Sequence, residues 1–215
     1  MDRGRSLQIT ACTLALLNAC SAVSSEPRHG EATHLEFVVQ PGTTISGADS
    51  LTPTVEVAVL DAGGATVTSA SDTISLEVGD SPNGGYLSGR TAIAAARGIA
   101  RFPRVIMNGL GGFGYTLRAR SPGLVGAESV PFNVVSLRIV PAQWLVRAGN
   151  SFQFRAMVLG TSDTTVAWST NAGTVDSTGY YRAPSLLTTD VLIGAFSVPY
   201  PHARAVATAG CGCVP

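Results

Sequence analysis

Lysine is missing from this chain, and all fourteen of its basic residues are arginine. We read that as a compositional bias rather than a binding device. Charged residues of both signs make up only 13% of the sequence, and the formal net charge is zero. No basic or acidic excess is present to draw nucleic acid or an acidic partner. Histidine is scarce: His29, His34 and His202 stand far from any H-E-x-x-H pattern, and no two share a metal-ligand spacing. No G-x-S-x-G nucleophile turn occurs. Between Cys20 and Cys211 there is no cysteine, so the body of the chain holds no internal disulfide framework. No apolar run reaches the ~20 residues that a membrane-crossing helix needs. Long runs of helix-forming Leu, Glu and Gln are also missing, and Gly, Ser, Thr, Ala and Val dominate instead. That composition favours strands and turns.

What is present is alternation of period two, the mark of strands with one apolar face. Leu35, Phe37 and Val39 alternate with more polar neighbours, as do Val55, Val57 and Val59, and then Ile74, Leu76 and Val78. "GDSPNGG" at 79–85 is a dense turn signal. Tyr115, Leu117 and Ala119 alternate with Thr116, Arg118 and Arg120, and a last strand is expected over about 128–135. Half-apolar sheets of this kind bury their faces against each other as a β-sandwich. A second series restarts at Ser136. It includes Phe152, Phe154, Ala156 and Val158 on one face, then Val166 and Trp168, Tyr180 to Arg182, Val191 to Ser197 and Arg204 to Thr208. With 215 residues, two domains fit. The expected fold is all-β: two tandem antiparallel sandwiches, 34–135 and 136–209, with a tail at 210–215. The two-residue junction at Val135-Ser136 points to a semi-rigid tandem rod.

The first twenty residues read differently. Arg3 and Arg5 precede a mostly apolar run from Leu7 to Leu17, which fits a signal peptide over 1–20. Leu17-Asn18-Ala19-Cys20 resembles a bacterial lipobox, implying lipidation at Cys20; ordinary cleavage nearby is the alternative. Residues 21–33 are small and polar, as a flexible tether would be. Membrane attachment would then rest on a lipid anchor only. Cys211 and Cys213 at the other end could form a terminal disulfide.

"IVPAQWLVRAGNSFQFRAMVLG" (139–160) and "VAWSTNAGTVDSTGYYRAP" (166–184) resemble the bacterial immunoglobulin-like domains of group 2. The resemblance rests on the Pro, the Val-x-Ala-Gly turn, Phe-x-Ala-x-Val at Phe154, Trp-Ser at Trp168, and Gly-x-Tyr-x-Ala-Pro at Tyr181. The first series, through "LEFVVQPGTTISG", "VEVAVLDAGGATV" and "GGYLSGRTAIAAARGIARF", resembles invasin-like or filamin-like repeats. These resemblances imply immunoglobulin-like sandwiches with no catalytic apparatus and no cofactor, used as spacers, adhesion modules or stalks on exported proteins. Phe154, Trp168 and Tyr181 would be structural.

"GLGGFG" at 109–114 has the G-x-G-x-x-G spacing of a dinucleotide loop. A phosphate cradle must open a helix, yet "YTLRAR" follows with strand alternation. The nucleotide reading fails, and the glycines are expected to allow a tight crossing between sheets. Tyr115 then starts the next strand, where sandwiches place a tyrosine corner. Its hydroxyl should bond the backbone near 107–111. Asp80 and Asn83 are too few for a calcium loop. Arg118 and Arg120 share a face and could bind an acidic glycan; a solvated face is the plainer reading. Trp144, Tyr180 and Tyr200 are candidates for exposed aromatics that mark a partner. The functional expectation is a non-enzymatic exported bacterial protein of the surface or periplasm. It would be a spacer, adhesion or protein-interaction module with a protein or glycan partner at the cell envelope. A carbohydrate-binding accessory protein is the alternative.

Overall fold

The computed structural model describes residues 30–211, with no side-chain description at Cys211. The signal segment, Cys20, most of the tether and Cys213 lie outside the described residues. Among the described residues there is no helix. The first sandwich uses β1 (Ala32–Val39), β2 (Thr44–Ser46), β3 (Val55–Asp61), β4 (Thr73–Val78), β5 (Gly85–Gly89), β6 (Ala92–Ala94), β7 (Ile99–Phe102), β8 (Val105–Gly109), β9 (Gly112–Tyr115), β10 (Leu117–Arg120), β11 (Ala127–Glu128) and the start of β12 (Phe132–Val140). One layer runs β1-β3-β7, with β5 pairing β8; the other runs β11-β10-β4-β6. The alternation in the sequence explains the layering. Along β4, Ile74 and Leu76 are buried while Thr73, Ser75 and Glu77 are exposed or part-exposed. These residues meet Val55, Val57, Phe102, Tyr115 and Phe132 in one core. Each such large side chain contributes about 1.5–3 kcal/mol on burial.

The second sandwich uses the rest of β12 with β13 (Gln143–Val146), β14 (Ser151–Gln153), β15 (Arg155–Leu159), β16 (Val166–Thr170), β17 (Thr174–Val175), β18 (Tyr180–Arg182), β19 (Val191–Ser197) and β20 (Arg204–Cys211). One layer runs β13-β20-β19-β16. The other comprises β12-β15 and β14-β18-β17. Its core is built on Phe154, Tyr181, Ile193 and Ala207. Both sandwiches share a device: a short early strand, β2 or β13, pairs parallel with the last strand, β12 or β20, while the other strand pairs are antiparallel. Two packed antiparallel layers with this closure are immunoglobulin-like.

The two sandwiches meet in a single strand. In β12, Asn133, Val134 and Val135 pair with β2, while Ser136 to Val140 pair with β15. Val134 belongs to the first core and Val135 to the second, both fully buried. Neighbouring residues of a strand face opposite sides, so one extended segment feeds both interiors.

Candidate functional site

"GLGGFG" lies at this joint. Gly111 N donates to Ser136 Oγ at 2.7 Å. A Cβ at Gly111 would stand 2.6 Å from Ser136 N and 2.7 Å from both Leu159 O and Val134 O. Across the joint, Gly160 has φ +83°, and a Cβ there would overlap Val134 O. The glycines thus bring backbone against backbone where the strand changes partner. Tyr115 is fully buried, and its hydroxyl donates to Leu110 O at 2.5 Å. Burial raises its pKa. Asn83 Nδ2 donates to Gly111 O at 2.7 Å, and Asp80 N donates to Thr116 Oγ1 at 2.7 Å. Both loop residues therefore brace the joint and the strand that follows. A polar contact also spans it, His202 Nδ1 lying 3.3 Å from Asp49 Oδ2.

Arg118 and Arg120 lie on the outer face of the first sandwich with Glu77 and Glu128 between and beside them. Arg118 stands 3.6 Å from Glu128, and Arg120 Nε contacts Glu77 Oε1. The hydrogen bond from Thr116 Oγ1 to Glu128, and then Arg118, hold the Glu128 carboxyl below its ordinary range. This is a charge ladder of alternating sign, not a cationic patch. The solvated-face reading fits it better than an acidic-glycan site.

In the second sandwich Phe154 and Tyr181 are fully buried. Trp168 departs from its expected central place: it is half-buried, packed on the core from the edge strand β16. The position of a Cβ on Gly179 lies 2.6 Å from Trp168 Cζ2, so the indole covers the turn into β18 instead of filling the middle. Tyr200, expected at the surface, is also half-buried against the core, folded back by the β19–β20 turn. Trp144 is 47% exposed and begins a run of rings. It stacks on Phe152 (centroids 4.4 Å apart), which meets Phe154 edge-on at 5.1 Å, which in turn meets Tyr181 at 6.3 Å. Tyr180 is 48% exposed.

The same layer carries exposed arginines that sequence reasoning passed over, one of them two residues from Tyr180 on β18. Arg138 on β12 and Arg155 on β15 are exposed in one sheet, and Arg182 on β18 is exposed in the β14-β18-β17 sheet of the same layer. None of the three has an ion-pair partner among the described residues. The signal was available: each occupies a polar phase of its strand's alternation with no acid in the same phase.

No three His, Cys, Asp or Glu side chains converge among the described residues. His34 Nδ1 is hydrogen-bonded to Thr33 Oγ1 at 2.9 Å. No helix of the described residues is long and apolar enough to cross a membrane.

No family model matches the sequence, and no curated protein matches it. Solved structures do resemble the chain. Invasin, a bacterial integrin-binding protein, aligns at 17% identity and TM-score 0.34 over 84% of this chain. The chain spans 40% of that structure. Domains 5–6 of the S-layer protein SbsC align at 12% identity and TM-score 0.31, over 85% of this chain and 98% of that one. Extracellular domains 3–5 of Drosophila OTK align at 12% identity and TM-score 0.28, over 85% of this chain and 66% of that one.

Proposed function

We propose that this protein is a non-enzymatic, exported interaction and spacer module of a bacterial envelope. Its mechanism is geometric. The observation that carries this reading is the joint. A strand shared by both sandwiches, with no unpaired residue between its two sets of partners, fixes their relative orientation. A stiff pair of domains presents faces and loops at a set distance from its attachment point without losing entropy on contact. The polar groups near the joint, including Asp80, Asn83 and Tyr115, are spent on internal hydrogen bonds. Spin labels placed on Tyr86 and Leu186, both exposed, should give one narrow distance distribution. A broad distribution would sink the spacer mechanism. Export and lipidation at Cys20 rest on the sequence pattern alone. Mass spectrometry of the mature N-terminus tests them, and an unmodified terminus away from Cys20 overturns lipidation.

A second reading is favoured by the exposed arginines. Exposed Arg138, Arg155 and Arg182, with Tyr180 beside Arg182 on β18, would match a polyanionic glycan, with guanidinium groups on sulfate or carboxylate and the ring on a sugar. Binding to immobilised heparin that falls with added salt, and is lost in the triple Arg→Ser variant, supports it. Elution at low salt with no effect of the variant rejects it.

A further inference from the structure

The outer face of the β13-β20-β19-β16 layer is built unlike its counterpart in the first sandwich. There, Glu77, Arg118, Arg120 and Glu128 meet solvent. Here, Leu145 (75% exposed), Val206 (62%), Leu192 (49%) and Phe196 (39%) stand out among Gln143, Ala167, Ser169, Gly194, Thr208 and Gly210. Sheet spacing of ~4.8 Å and a rise of ~3.4 Å per residue give four such strands a flat footprint of about 400 Å². Four large apolar side chains exposed together within that footprint make the face a candidate contact surface.

Its two charges lie at opposite ends. Arg204 is paired in register with Phe196 at one end of β20. At the other end the Asp190 carboxylate lies on this face, its Oδ1 3.7 Å from where Gly210 would carry a Cβ. Six residues of strand separate Arg204 from Gly210, about 20 Å. Consider a two-fold axis in the plane of the face, crossing the strands between Val206 and Thr208. It lays β20 antiparallel over β20 of a second copy. Arg204 of each copy then meets Asp190 of the other, because a carboxylate accepts from more than one donor. The same operation sets Leu192 over Gly194, whose missing side chain leaves a hollow, and Val206 over Thr208. A single surface that supplies both knob and hollow, and both charges, is what an isologous contact requires. A footprint of about 400 Å² is below the about 800 Å² per partner of ordinary complexes, so the expected association is weak.

We propose that this face is the contact surface of a homodimer with that two-fold register. The proposal goes beyond the spacer reading and does not depend on it. Sedimentation of the full chain, with reductant present to remove cysteine cross-links, should show a monomer–dimer equilibrium at micromolar concentration. Val206→Glu should weaken it at least about tenfold, by placing a charge in the dry centre, with an unchanged melting midpoint. Arg204→Asp and Asp190→Arg should each weaken it, and the double exchange should restore it. A chain that stays monomeric overturns the proposal, as does a dimer indifferent to Val206→Glu, which would form elsewhere. A double exchange that fails to restore association overturns the two-fold register, and leaves a different occupant, such as an unrelated apolar protein face, as the one to seek.

Discussion

Tyr115 and Tyr181 are both fully buried, yet they differ in one atom's circumstances. The Tyr115 hydroxyl donates to Leu110 O, whereas the Tyr181 hydroxyl has no hydrogen-bond partner among the described residues. A satisfied buried hydroxyl contributes about 1 kcal/mol net, and an unsatisfied one costs its desolvation. Tyr115→Phe should therefore lower stability by about 1 kcal/mol, while Tyr181→Phe should be neutral or stabilising. Chemical denaturation of the two variants checks the contrast, and equal losses would contradict it. Burial raises both pKa values above that of an exposed tyrosine. A raised folded-state value means that the stability contribution is complete below the unfolded pKa of ~10 and is lost as pH rises through the folded value. Tyr115 and Tyr181 should therefore ionise late, above the ordinary tyrosine range. Absorbance titration in alkali should show that late step, coincident with loss of near-ultraviolet dichroism.

Among the elements, β12 teaches most. The all-β class was legible, since period-two runs in Phe37, Ile74, Leu117 and Phe154 each bury the expected phase. What the alternation concealed was continuity. One strand was expected to end near Val135 and another to begin near Leu137, but they are one segment. The clue lay in the phase. Phe132 and Val134 are buried at even positions, then Val135, Leu137 and Ile139 at odd ones, with no Gly or Pro to break the chain between them. Such a flip is ambiguous in a sequence, because a bulge or a new strand would write it too. The position of Trp168 was hidden for another reason. Alternation gives the inward phase but not whether a strand is central or at an edge, and β16 is an edge. The exposed arginines escaped because Arg138, Arg155 and Arg182 come from strands up to 44 positions apart (182 − 138 = 44), brought into one layer only by the fold. At the joint, Gly160→Ala would set a methyl into Val134 O at a positive φ. We expect a loss of at least about 2 kcal/mol. Gly111→Ala, crowded by three backbone atoms, should cost less in stability but open the angle between sandwiches. X-ray scattering reads that angle, and an unchanged profile in Gly111→Ala would count against a glycine-set joint.

For the whole molecule, the joint couples two cores that touch at adjacent valines. Pulling β12 away from either sandwich removes pairing from the other, so the two should melt together. Calorimetry should record a single transition. Inserting Gly-Ser-Gly-Ser between Val135 and Ser136 should split it in two, and two transitions in the parent chain would show that the coupling is weak. The same nine residues of β12 have a consequence for how such a protein is cut and copied. Neither sandwich has a private border. A cut between Val135 and Ser136 leaves the β2 pairing with the first and the β15 pairing with the second, but takes Val135 out of the second core, and a cut one residue earlier takes the Val135–Ser46 pairing from the first. Inheritance of either half as a self-sufficient unit requires Val135 to travel with both, so that the residue is duplicated rather than divided.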